Sequence, residues 1–419
     1  MRLIRNDLLI LCCMTATMAS VSAADNWTRF RGPNGSGAAE ETSVPAKWTD
    51  DDYAWKVQLP GTGHSSPVVW GDHVYVTTAS EKGDVFSLLA YGAADGELLW
   101  KQGQSLEYLR VHALNSRASS TPAVDQHGVY TLWFGPDKSL LVAVGHDGTE
   151  RWRKDLGPTA TMHGPSQSPM VYDGMVILSF EQELNKSKLR SYWYALDSET
   201  GETVWRLDRD TSQKASSSVP CIYRTADGSD QIVFSSNAHG LTAVDPATGD
   251  IAWCEPTAFP TRVVSSPVQA GRYLVGTNGR RGGGLRLVAI DPSGGTPVVV
   301  HDIEEKIVPY VSTPIAVGEL LFLFHDSGLV TCMEIESGKV HWSERQDGKM
   351  FGSPVLVGDR LYCITNKGDV VVLRAAANYE PLGVNALGEG SHATPAVANG
   401  RMFLRTNTQL MCVAGPAAQ

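Results

Sequence analysis

Ser65-Ser66-Pro67-Val68 is a short polar–proline–apolar element, and the chain repeats it seven more times. The copies are Ser120-Thr121-Pro122-Ala123, Gln167-Ser168-Pro169-Met170, Ser217-Ser218-Val219-Pro220 and Ser265-Ser266-Pro267-Val268. They continue with Ser312-Thr313-Pro314-Ile315, Gly352-Ser353-Pro354-Val355 and Ala393-Thr394-Pro395-Ala396. The eight prolines are spaced 55, 47, 51, 47, 47, 40 and 41 residues apart. A period in the forties with strand-like content predicts a β-propeller, one four-stranded blade per repeat. Proline suits the first position of a strand, where its missing N–H breaks no ladder bond.

Each repeat follows one plan. A turn such as Gly71-Asp72 leads to a second strand, Val74-Tyr75-Val76, and a third follows, as in Leu241 to Val244. An Asp- and Gly-bearing turn then precedes a closing strand with Trp, at positions 100, 152, 205, 253 and 342. Asp supplies local side-chain hydrogen bonds in such turns and Gly supplies positive φ. By count from the turn, the fifth repeat has Val298 to Val300 in place of Trp and the seventh has Leu382. The eighth ends at Leu410 to Val413 with no closing strand, whereas Ala54-Trp55-Lys56-Val57 stands unused near the N-terminus. The expected fold is therefore all-β: an eight-bladed propeller of four-stranded antiparallel blades, closed by that N-terminal strand, which leaves no open sheet edge.

Composition agrees. Gly 41 and Pro 22, with only 19% charged residues, exclude long helices, and 42% hydrophobics exclude bulk disorder. A net charge of -10 argues against nucleic acid as a partner. Arg2 and Arg5, the apolar Leu8 to Ala19 and the small residues Val21-Ser22-Ala23 read as an export signal cleaved near Ala23 or Ala24. The apolar run is too short for a transmembrane span. Leu11 stands before Cys12 where a lipid-attachment site would carry a small residue. The expected organisation is a signal peptide over 1–24, an extended arm over 25–52, one propeller over 53–415 and a tail over 416–419. The destination is the periplasm or the extracellular space. Five cysteines remain after the signal, irregularly spaced, and read as buried free thiols rather than a disulfide framework.

The segments Ala195 to Trp205 and Ala243 to Trp253, with the pattern Ala-x-Asp-x-x-Thr-Gly-x-x-x-Trp, resemble the repeat of pyrroloquinoline-quinone-type (PQQ-like) propellers. Trp27-Thr28-Arg29-Phe30-Arg31-Gly32-Pro33-Asn34-Gly35 resembles the opening of exported members without an assigned activity. The resemblance spans about residues 27 to 415. It implies the propeller fold, with each Trp docked on its neighbouring blade. Relatives range from quinoprotein alcohol dehydrogenases to a lipoprotein of outer-membrane barrel assembly. In the dehydrogenases, the resemblance implies an adjacent cysteine pair over the quinone, a stacking Trp, calcium held by carboxylates, and a basic Asp. The sole Cys-Cys here is Cys12-Cys13, inside the signal, and Asp50-Asp51-Asp52 reads as a solvated charge run. No cofactor is expected, PQQ with calcium being the alternative.

No phosphate loop, zinc-protease motif or nucleophile elbow occurs. His325-Asp326-Ser327 is three consecutive turn residues, which cannot form a relay. The positions just before each inner strand should crowd one mouth of the channel, and they hold His64, Arg117, His163, Lys214, Arg262, Tyr310, Met350 and His392. Converging cations, with hydroxyls from Ser65, Ser119, Ser216 and Ser265, would favour an anionic ligand; three histidines could titrate or bind a metal. The opposing expectation is that these are loop residues solvated or paired locally. The insertions Gln102 to Ser119 and Glu181 to Arg190 read as surface loops. The functional expectation is an exported binding or assembly scaffold for a protein, peptide or polysaccharide, with an oxidoreductase or other enzyme at the channel mouth as the alternative.

Overall fold

The computed structural model describes residues 26–39, 44–107, 109–183, 189–211, 214–280 and 283–415. The signal over 1–24, with Cys12 and Cys13, and the tail over 416–419 lie outside the described residues. Eight antiparallel sheets follow one another around a ring. The first blade is Val68–Trp70, His73–Ala79, Val85–Gly92 and Leu98–Ser105, and the inner strands start immediately after the eight prolines. Tyr53–Gln58 pairs antiparallel with Gln409–Ala414 as the outermost strand of the eighth blade, so residues from both ends of the chain close the ring. No helix of the described residues is long and apolar enough to cross a membrane.

The residue before each proline has a structural task. The backbone N–H of Ser66 donates to Thr121 Oγ1, that of Thr121 to Ser168 Oγ, and that of Val219 to Ser266 Oγ. Ser266, Thr313 and Ser353 donate in turn to the hydroxyls of Thr313, Ser353 and Thr394. Thr394 donates back to Ser66 Oγ at 3.1 Å, joining the last blade to the first. Each blade thus fastens its neighbour through a buried hydroxyl at the head of the inner strand. The link from blade 3 to blade 4 is the exception, because Val219 has no hydroxyl to offer.

Tryptophan forms a second, outer set of links. Trp55, Trp100, Trp152 and Trp205 each lie against a turn glycine of the next blade, and their indole N–H groups donate to backbone carbonyls there. At Gly96 and Gly249 the turn requires φ of +72° and +76°, and a Cβ would stand 2.7 Å from the indole. The register corrects the sequence reading of blades 5 and 7. His301 pairs with Ala289, as Trp205 pairs with Ala195, and its Nε2 lies 3.1 Å from Glu336 O of blade 6. A longer turn before the strand had hidden this position. In blade 7 the register places Gly383 there, not Leu382, and the arm segment Ala46–Lys47 packs on it where a Cβ would be 2.7 Å from Ala46 O.

The arm itself enters the channel. Trp27 forms a bridge with Val69, the Thr28 carbonyl accepts from Val124, and Asn34 exchanges bonds with Ile222. Ala38–Ala39 adds a parallel fifth strand inside Val355–Val357. Arg29 and Arg31 are fully buried. Arg29 reaches Met170 Sδ and Pro220 O, and Arg31 bridges Thr313 O at 2.7 Å and Ser36 O at 2.9 Å. Beyond residues 40–43, Val44 and Trp48 join the core cluster that includes Val355, Tyr362 and Leu387.

Thr121→Val keeps the shape of a latch residue but leaves the buried Ser66 N–H unpaired. We expect it to cost about 1–3 kcal/mol of unfolding free energy, read as a lower urea midpoint at unchanged slope. An unchanged midpoint would show that the latches are incidental.

Candidate functional site

The arm bonds along the inner strands, at Val69, Val124, Ile222, Leu356 and Val357. The candidate residues precede those strands and belong to the opposite mouth. The insertion after blade 1 crosses this mouth. His112 N–H and Asn115 Nδ2 both donate to the carbonyl of His163 ahead of blade 3.

The candidates divide into separate groups. His64 and His392 pack with their rings tilted by 49° and centroids 4.4 Å apart, and Phe351 packs edge-on against His392 at 4.8 Å. Burial, then the neighbouring His392 and the buried Arg405, push the His64 imidazole from 6.5 down to about 3, so it is neutral at pH 7. Burial also lowers His392. Arg117 packs over Gly83 and lines a small pocket with Phe86 and Phe134. Tyr310 is half-buried, and its N–H donates to Asp326 Oδ1 at 3.1 Å. Met350 is wholly buried in the core between blades 6 and 7 rather than at the mouth.

His163, Lys214 and Arg262 do come together. Burial first, then Arg262, lowers His163, while Glu183 opposes. His163 Nδ1 lies 3.9 Å from Glu183 Oε1, whose side chain is 3% exposed. Glu183 Oε2 accepts the Met162 N–H at 2.7 Å, and Lys214 Nζ lies 3.2 Å from Met162 Sδ. Arg262 donates to Ala215 O and Ser217 Oγ. Met162 itself is 72% exposed.

The start of the second insertion is not a surface loop. Glu181, Gln182 and Glu183 are all buried; residues 184–188 lie outside the described residues. Glu181 accepts from Trp193 Nε1 and the Ser216 N–H, and burial raises its carboxyl. Arg209 lies 4.2 Å over the Trp193 ring nearby. The signal for this was the absence of any turn residue between the apolar strand Met175–Phe180 and Glu181. The four serines expected to face a ligand are bonded internally instead: Ser65 and Ser265 to Thr77 and Thr277, Ser119 to Asn115, and Ser216 to Asn237. His325 and Ser327 bond each other on the surface, while Asp326 holds the backbone of Tyr310 and Val311.

The family described as outer membrane protein assembly factor BamB matches residues 42–132, 113–343 and 283–380. The chain belongs to this family of PQQ-like repeat propellers. BamB from Alkalilimnicola ehrlichii is 30% identical over 153 residues, which are 35% of this chain and 33% of that protein. The match thus spans about a third of that relative's length. Among solved structures, BamB from Moraxella catarrhalis superposes with a TM-score of 0.61 at 14% identity, covering 88% of this chain and 98% of that one. Quinohemoprotein alcohol dehydrogenase from Comamonas testosteroni gives 0.60 at 13% identity, covering 95% of this chain and 82% of that one. At such identities the structural likeness speaks for the PQQ-like propeller fold alone.

The residues present do not fit a quinone with calcium. Cys221, Cys254, Cys332, Cys363 and Cys412 are single thiols on different strands. Among the described residues no group of three or more His, Cys, Asp or Glu could hold a metal ion. Where the arm meets the inner strands, Trp27, Arg29 and Arg31 are buried.

His64 also gives the fold an acid sensitivity. The unfolded chain takes up a proton there below pH 6.5, whereas the folded chain refuses it until about pH 3. Its stability contribution is therefore whole above 6.5 and declines as the pH falls between those values. His64→Gln should show a smaller drop in urea midpoint between about pH 7 and about pH 4.5 than the parent chain; equal drops would contradict the assignment.

Proposed function

We propose that this propeller is an exported, non-catalytic scaffold that holds an acidic segment of a partner protein against the loop-crossed mouth. The observation that carries this reading is the exposed Met162 with Lys214 beside it and His163 and Arg262 behind. An adaptable thioether next to two cations suits an acidic segment with apolar side chains. Glu183 orders the surface by accepting the Met162 N–H. Membership of a family described as an outer membrane protein assembly factor supports an assembly role, and the leader-like N-terminus supports export. A protein partner is favoured over a polysaccharide because the patch offers charge and sulfur.

Lys214→Ala combined with Arg262→Ala removes both cations without touching the blade cores. Affinity capture from the exported fraction, followed by titration of the captured partner, should show affinity reduced at least about tenfold, with an unchanged unfolding midpoint. Undiminished affinity would refute this mouth as the docking face.

A further inference from the structure

The seam between blades 3 and 4 combines separate irregularities. Its hydroxyl latch is missing at Val219, and on the arm-filled face it opens into a cleft of about 340 Å³. Arg29 lines this cleft from the channel side, together with Met170, Tyr172, Arg224, Asp230 and Gln269. Arg29 is 3% exposed and bonds only neutral groups, Met170 Sδ and Pro220 O. Its Nε has no hydrogen-bond partner.

Asp230, the one acid lining the cleft, is already engaged. One oxygen accepts from Arg224 Nε at 2.8 Å, and the other from Arg224 Nη2 at 2.9 Å and the Tyr172 hydroxyl at 2.7 Å. The cleft therefore carries one guanidinium charge that nothing among the described residues balances. A buried charge without a counter-charge is costly, and a planar guanidinium with an unused N–H matches a planar carboxylate best. We propose that this cleft binds the carboxylate of a peptide, its terminus or an acidic side chain, beside Arg29. The site is on the opposite face from the mouth discussed above and is independent of it.

Met170 is a built-in reporter, because its sulfur touches the guanidinium at 2.8 Å. The full mature chain, labelled at the methionine methyl groups, is titrated with N-acetylglycine, N-acetylglycinamide, acetate and inorganic phosphate, with Met170→Leu assigning the resonance. The acid should shift the Met170 methyl saturably, and the neutral amide should bind at least about tenfold more weakly. Tighter binding of N-acetylglycine than of acetate supports a peptide carboxylate, and equal binding overturns that source. Gln269→Glu, which places a competing charge at the rim without entering the core, should weaken the acid at least about tenfold. Equal shifts from acid and amide, no saturable shift, or a response to phosphate alone would overturn the site.

Discussion

An eight-bladed ring leaves an axial channel, and here the chain fills one end of it with its own N-terminal arm. Arg31 is the centre of that arrangement. Its guanidinium ties Thr313 at the head of the blade 6 inner strand to Ser36 in the arm. Burial lowers its pKa from 12.5 to about 9, so it remains charged at neutral pH and must be solvated by protein carbonyls instead of water. Once the arm is seated, Ala38–Ala39 extends the seventh blade inward, Ala46 and Lys47 cover Gly383, Val44 and Trp48 join the core beside it, and Tyr53–Gln58 completes the eighth blade. Among the described residues, those ahead of the first blade thus plug the channel, cover the blade in which Gly383 holds the docking position, and close the ring.

Around this plug, two concentric sets of contacts hold neighbouring blades. The inner set is the hydroxyl latch before each proline; the outer set is the docked Trp or His301. Both are short-range and repeat with the blade, which is why the repeat period could reveal them. Exceptions fall where another element takes over or where a cleft opens. Gly383 is covered by the arm, and Val219 stands at the blade 3–blade 4 seam. Filling one end of the channel also directs function to the faces of the ring, where loops rather than blades vary.

The blades were legible because proline, turn glycine and Trp each mark a fixed place in the four-stranded unit. The closing strand was legible because Trp55 occupies the phase that Leu410 to Val413 leaves vacant. The plug was not. Phe30-Arg31-Gly32-Pro33 has no strand period, and an arginine in a polar arm reads as solvated until the contacts are seen. Nor could the sequence separate the mouth residues. His163, Lys214 and Arg262 converge beside the buried Glu183, which is held by tertiary contacts with Ala160, Met162 and His163 ahead of blade 3. Residue type placed the candidates at one mouth; side-chain packing decided which of them meet.

Residues 26–39 are a structural part of the ring, and amide hydrogen exchange on the full chain, followed peptide by peptide, measures this. The amides of Trp27, Gly35 and Gly37, each bonded to a backbone carbonyl, should exchange as slowly as those of the inner strands. Exchange of this segment at the rate of free peptide, with the blades still protected, would show that the ring stands without it.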